Sequence, residues 1–415
     1  MRLLIIEQPL NNRGDEAAHR GLINSLLNRY PSLEINIMFY DRKQQDIDYF
    51  KVVSERVNYL NIQTKKHRIF SIQRIIKLIM MLNMPVFLYF LPFIRKVLSL
   101  YKKTDYIMCA PGGMNLGGFQ DWAHAAFLHL AVHTKKPVIY FARSIGPFAE
   151  NTYLEKTFKK RSLKLLNSFS YTSLRDNKSQ DIARQLNIKF IPTVDSAFLS
   201  TPNICIPEII TSKLEVSYIV VVPNSLTWHK DFKNLPYDFV KEFWCKLIDV
   251  LLIKYPNIQI VMLPQTIGYS KMLADGFIYF SEIKQLTTQP ERIFVLDEKY
   301  GSDIQQMIIK KARFLIGARY HSVIFAINQK VPFISLSYEH KMTGVLNSLS
   351  LQQHEILIQK ILNNVYTGKQ TLKNGVQSII DKINFEDDIA NKSILANSIT
   401  TQALQKLDSI LLKYK

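Results

Sequence analysis

The sequence has little cysteine, a shortage of acid and no uninterrupted apolar run of membrane-spanning length. Its three cysteines, Cys109, Cys205 and Cys245, follow no ligand spacing, which argues against a disulfide framework or a structural zinc and for a reducing compartment. The N-terminal stretch MRLLIIEQPLNNRGDE turns polar after one short apolar run. It reads as a first strand rather than a signal peptide, and a cytoplasmic protein is expected. There is no G-x-G-x-x-G or P-loop, so dinucleotide or ATP binding is not indicated. A recognition helix, a zinc motif and an RRM-like aromatic pair are also missing, and Lys and Arg are spread along the whole chain. Nucleic acid is therefore not an expected partner.

Positive charge is what the chain has in excess: 53 Lys and Arg against 34 Asp and Glu, a formal net charge of +19. Charge of this size concerns partners rather than fold, and anionic substrates or anionic lipid suit it. The lipid reading rests on Arg68–Lys103, where Leu78 to Ile94 carries no charge and basic residues stand on both sides. That run is at or below the length needed to cross hydrocarbon, and Pro85 and Pro92 interrupt it. An amphipathic hairpin at a membrane surface is one expectation, and a pair of core-packed helices is the other.

A chain of 415 residues exceeds what one core usually supports, so two domains are expected. Short apolar strands alternate with helical spacing from Arg2–Gln8 through Phe169–Leu174, and again from Ser217–Pro223 through Val331–Ser335. This pattern predicts an α/β protein of two doubly wound, Rossmann-like domains whose polar strand ends face a cleft. The expected boundaries are 1–205, 214–345 and a helical tail over 346–415 that crosses back to the first domain.

Ligands of such sheets bind beyond the carboxyl ends of the strands. The stretch Lys311–Gly344 reads as strand, loop, helix and strand, and places Arg319, His321 and Lys341 at those ends. Taken singly, these would be solvated cations and a structural histidine. Together, a bidentate cation, an imidazole and an ammonium suit a small anion that must exchange a proton. Gly112, Gly113 and Asn115 follow another predicted strand, where glycines let backbone N–H groups approach a ligand. Gly14 is expected to take an unusual backbone angle and Asp15 to cap the helix that follows. Arg175 has two readings, an ion pair with Asp176 or Asp181, or part of an anion site. No metal site is expected.

G-A-R-Y-H at Gly317–His321 and Y-E-H-K at Tyr338–Lys341 resemble the C-terminal signature of the polysaccharide pyruvyl transferases. N-R-G-D-E at Asn12–Glu16, P-G-G-M-N at Pro111–Asn115, S-I-G-P-F at Ser144–Phe148, S-L-R-D at Ser173–Asp176 and P-T-V-D-S-A-F at Pro192–Phe198 follow the same family's order. The family usually has a third glycine where this chain has Met114. The resemblance implies a GT-B-like fold and transfer of pyruvate from phosphoenolpyruvate to a saccharide acceptor as a ketal, with loss of phosphate and no cofactor. It implies a cell-surface polysaccharide, or a lipid-linked precursor of one, as the acceptor. Arg175, Arg319 and Lys341 would then hold phosphoenolpyruvate, and His321 would protonate its methylene carbon. Asp15, Glu16 and Asp195 are the candidates to take the hydroxyl proton, with Asp195 as the second catalytic residue. Asp15, Glu16, Gly112, Gly113 and Asn115 would line the acceptor. Two other readings stand beside this one: a glycosyltransferase using a nucleotide sugar, and a non-catalytic subunit that binds a glycan at the membrane.

Overall fold

The computed structural model of the chain describes residues 1–9, 12–63, 72–215, 217–266, 276–383 and 389–412. Arg68 and the end of the loop that begins at Pro264 fall outside this set. The runs rich in Ile, Val, Leu and Phe become strands buried on both faces, as parallel sheets require. The first sheet contains β1 (Arg2–Ile6), β2 (Glu34–Tyr40), β3 (Val57–Ile62), β4 (Tyr106–Cys109), β5 (Val138–Arg143), β6 (Tyr171–Leu174) and β7 (Ile191–Pro192). Their order is β3-β2-β1-β4-β5-β6-β7, all parallel. The second contains β8 (Tyr218–Val222), β9 (Gln259–Met262), β10 (Ile293–Val295), β11 (Leu315–Gly317), β12 (Phe333–Ser337) and β13 (Glu355–Leu357). It is also wholly parallel, ordered β10-β9-β8-β11-β12-β13.

Side chains of the first sheet alternate between two cores. Leu4, Ile6, Ile107 and Tyr140 pack with the helices Pro92–Lys102 and Trp122–His133. Leu3, Ile5, Met108 and Ile139 pack on the other side with Leu22, Ile23 and Leu26. Each sheet reverses its winding once, between β1 and β4 in the first and between β8 and β11 in the second. Such a switch point opens a crevice at the carboxyl ends of the two strands.

The chain forms two compact units. One comprises Met1–Leu10, Ala18–Leu199 and Ser398–Lys415, and the other Asn11–Ala17 and Ser200–Asn397. Asn11–Ala17 group with the second unit because Asn12 bridges Thr266 and the Arg13 N–H donates to the Gln265 carbonyl at 2.9 Å. The last residues group with the first because Tyr171 and Tyr106 donate to the carbonyls of Ala403 (2.5 Å) and Leu411 (2.9 Å). The expectation of helices only after Gly344 is corrected by β13, an edge strand of three residues in register with β12. So short a strand leaves no periodicity to read.

Candidate functional site

In the second unit, β8, β11 and β12 each end in a loop that carries polar or aromatic side chains. After β8, the fully buried Asn224 acts as a hub. Its amide donates to the Ala318 carbonyl (3.1 Å), while its Oδ1 accepts from the Leu226 N–H (2.9 Å) and the Trp228 indole (3.1 Å). Trp228 is thereby fixed with the Arg319 guanidinium over its ring, 5.8 Å from the centroid. Arg319 is the N-cap residue of the helix Tyr320–Asn328, and His321 lies in that helix's first turn, buried beside the Tyr320 ring. After β12, the helix His340–Ser348 carries Lys341 in its first turn; Lys341 pairs with Glu339 at 2.9 Å and lies 5.4 Å from the centre of Tyr320. Burial disfavours the Glu339 carboxylate, yet the Lys341 charge outweighs it and holds its pKa below the usual range. Two helix N-termini on adjacent parallel strands and two cations on aromatic faces make a setting that favours anions.

The turn Asn12–Glu16 belongs to the same unit and explains its own sequence. Gly14 lies against the His321 ring so closely that a Cβ would fall 1.7 Å from Cγ. The expected unusual backbone angle at Gly14 is not what requires glycine; the lack of room for a side chain is. Asp15 does not cap the helix, which begins at Arg13; the Asn12 Oδ1 accepts from the Gly14 N–H at 2.7 Å instead. Glu16 is fully buried, accepts from Arg13 (2.7 Å) and receives the Ser302 N–H (3.2 Å) at the start of the helix Ser302–Lys310. It is a helix-capping carboxylate inside the fold. Asp15 stays half-buried in the same turn.

In the first unit, the expected site residues are drawn into a buried lattice. Arg175 donates to Asp195 (2.5 Å) and to the Ser144 hydroxyl (3.2 Å), and neither charge reaches the surface. The readings of Arg175 beside Asp176 or Asp181 are corrected: its carboxylate partner is Asp195. Asp176 accepts from Ser144 (2.6 Å) and caps the next helix through the Ser179 N–H (2.8 Å). Gly112 leaves room for the Arg143 guanidinium, 3.3 Å from where its Cβ would be. Asn115 accepts from Arg143 (2.5 Å) and donates to Asp121 (3.0 Å). Gly113 offers its carbonyl to Arg143 at 3.4 Å. The P-G-G-M-N loop thus wraps a buried arginine.

A profile of the polysaccharide pyruvyl transferase family matches residues 12–340. The chain belongs to this family. It is also similar to the amylovoran biosynthesis protein AmsJ of Erwinia amylovora, 24% identical over 98% of this chain and 99% of that protein. Among solved structures, a putative UDP-N-acetylglucosamine 2-epimerase of Listeria monocytogenes superposes with a TM-score of 0.64 at 9% identity, covering 99% of this chain and 97% of that one. The spinosyn rhamnosyltransferase SpnG gives 0.50 at 10% identity, covering 97% and 96%. This pyruvyl transferase family member therefore has the GT-B-like fold, two Rossmann-like units with helices at the C-terminus, and a role in polysaccharide modification.

Sequence reading missed two groups at the first switch point of this pyruvyl transferase family chain. Glu7 follows β1 with φ of 60°, an uncommon angle for a residue with a side chain. Its Oε2 meets His124 Nδ1 at 3.0 Å, while Oε1 is buried without a hydrogen-bond partner among the described residues. Burial works against a charged His124, but the Cys109 sulfur and the Glu7 carboxylate raise its pKa to about 9. The second is Arg143, whose guanidinium also lies 5.4 Å from the centre of the Tyr140 ring. A polar residue directly after β1 was the available signal, but the partners stand 117 residues apart. No group of residues able to hold a metal occurs among the described residues.

Proposed function

We propose that the chain transfers the pyruvyl group of phosphoenolpyruvate to two hydroxyls of one sugar in a cell-surface polysaccharide or its lipid-linked precursor. One hydroxyl oxygen bonds to the enol carbon as the methylene carbon takes a proton. The second displaces the phosphate oxygen from the same carbon. The two hydroxyl protons end on the new methyl group and on the released phosphate, so no cofactor is needed. The observation that carries this reading is the grouping of Arg319, His321 and Lys341 at two adjacent helix starts in a chain of this family.

In this reading the second unit holds the donor. Arg319 is suited to a bidentate anion contact, stacked as it is on Trp228, and Lys341 supplies a point charge. His321, backed by Gly14, delivers the proton to the methylene carbon. Arg175 and Asp195 take a different role from the one expected of them: their mutual pair makes them positioning residues for the loop at Ser144. Glu7, whose Oε1 is buried without a hydrogen-bond partner among the described residues, joins Asp15, Glu16 and Asp195 as a candidate for the hydroxyl proton. Asp15, Gly112, Gly113 and Asn115 remain assigned to the acceptor, the last three as the wall of its loop. Phosphoenolpyruvate is a product of cytoplasmic metabolism, and Cys109 and Cys245 are buried free thiols. We place the reaction on the cytoplasmic side.

The test is a donor screen with a mixed saccharide acceptor. Release of inorganic phosphate from phosphoenolpyruvate, abolished in His321→Gln and with a raised KM in Arg319→Ala and Lys341→Ala, is the expected result. One structural neighbour was solved bound to UDP-N-acetylglucosamine. Release of nucleotide from a sugar nucleotide, with no phosphate from phosphoenolpyruvate, would replace this reading with glycosyl transfer. Glycan binding without turnover of either donor would leave a non-catalytic subunit.

A further inference from the structure

The segment 78–90 of the first unit exposes Leu78, Leu82, Met84, Val86, Phe87 and Phe90, the last of them 67% exposed. They project from the end of the helix Ile72–Met81 and the turn Pro85–Phe90 that follows it. The opposite side of the same segment is anchored: Ile76, Met80 and Leu88 belong to the core with Phe93, Ile94 and Val97. The hairpin is thus fixed in place and its outward face is apolar, where a soluble protein normally shows polar groups. Exposed Arg74, Lys77, Arg95 and Lys96 flank it.

Beside this face is a cavity of about 670 Å³ whose lining includes Met80, Asn83 and Pro85 of the hairpin. Its other wall carries Lys156, Lys160, Arg161, Lys164, His129 and His133, and no acidic residue lines it among the described residues. Arg161 donates to the Asn83 side chain and so ties the basic wall to the hairpin turn. The crowding of positive charge registers on His129: burial first, then His133, Arg161 and Lys164, lower its pKa to about 4. An apolar face continuous with a basic, acid-free cavity matches one kind of partner, a bilayer that offers hydrocarbon next to anionic phosphate.

We propose that residues 72–103 dock this protein on an anionic membrane surface, with Phe87 and Phe90 in the interfacial layer and a lipid phosphate in the cavity between Asn83 and Lys160. No helix among the described residues is long and apolar enough to cross a membrane, so the segment lies on the surface rather than spanning it. Basic residues at such a surface each add attraction that salt screens. The proposal is independent of which donor the enzyme uses.

Co-sedimentation with vesicles tests it. Wild type is expected to bind phosphatidylglycerol-containing vesicles at low salt at least tenfold more tightly than phosphatidylcholine vesicles. Phe87→Ser with Phe90→Ser, Arg95→Gln with Lys96→Gln, and Lys160→Gln with Lys164→Gln should each reduce that binding about tenfold, with unchanged thermal unfolding. The salt dependence should flatten only in the two charge variants. Inorganic phosphate at 10 mM should not displace the protein. Absence of vesicle binding by wild type, or equal binding by all variants, overturns the proposal. Full displacement by phosphate would make the cavity a soluble-anion site and overturn the lipid assignment. A Phe87→Ser, Phe90→Ser variant that dissociates a dimer while vesicles bind neither form would show a second copy of the chain on this face instead.

Discussion

At the strand ends of the first unit, two charges close on opposite ones, Arg175 on Asp195 and His124 on Glu7, while the buried Arg143 donates to the neutral Asn115 side chain. At those of the second, Arg319 and Lys341 lie near aromatic rings at helix starts, half-buried rather than enclosed, with Lys341 also paired to Glu339. The same residue types are used in two ways. A buried pair is neutral overall and expensive to break from one side, which holds a loop in one shape. A half-buried cation beside an indole or phenol ring is held in place by that ring while part of it still faces solvent. The exposure of the second-unit cations and the enclosure of Arg175 with Asp195 are the contrast on which the proposed roles rest.

The sharpest test of that division is a pair of variants read in two assays. His321→Gln is expected to lower phosphate release by about two to four orders of magnitude while leaving the unfolding midpoint near wild type. Arg175→Ala should do the reverse in stability, costing about 3–5 kcal/mol in denaturant unfolding because Asp195 is left buried and charged. Adding Asp195→Ala to Arg175→Ala should recover part of that loss. If Arg175→Ala were as stable as wild type and raised the KM for phosphoenolpyruvate alone, the comparison would fail. Gly14→Ala comes next: it forces a methyl group into the His321 ring, and should lower stability by about 1–3 kcal/mol and reduce turnover as the imidazole is displaced. A further expected effect concerns pH. His124 has a folded pKa of about 9, above its ordinary value. Its contribution is complete below the unfolded pKa and is lost as pH rises from about 6.5 through about 9. Glu7→Gln should flatten that alkaline decline in unfolding free energy; an unchanged slope would show that the pair is not the cause.

Much of this was legible in the chain. Buried parallel strands need apolar runs, and those runs are present at β1, β8 and β11, with β12 apolar at alternate positions. The residue that follows such a run is at a strand end by construction, so Arg319, His321 and Lys341 could be placed before any coordinates. β3 was missed because its side chains alternate only weakly, with one of its six residues buried. The burial of Arg175 against Asp195 was not legible, since twenty residues and a change of element separate them. Charge in a sequence does not say whether the other end of the pair is water, substrate or a carboxylate.

The sequence by itself determined the alternation of strand and helix, the family, the excess of positive charge and the candidate donor residues, because each is a property of residue type and local order. Only the tertiary structure decided that Gly14 is a contact surface for His321, that Glu16 caps a helix nearly three hundred residues away, and that Phe87 and Phe90 point outward while Met80 points in. These depend on which faces meet once the chain is folded. Spacing along the chain fixes which residues share a face, but the side from which that face is covered is set by packing between distant segments.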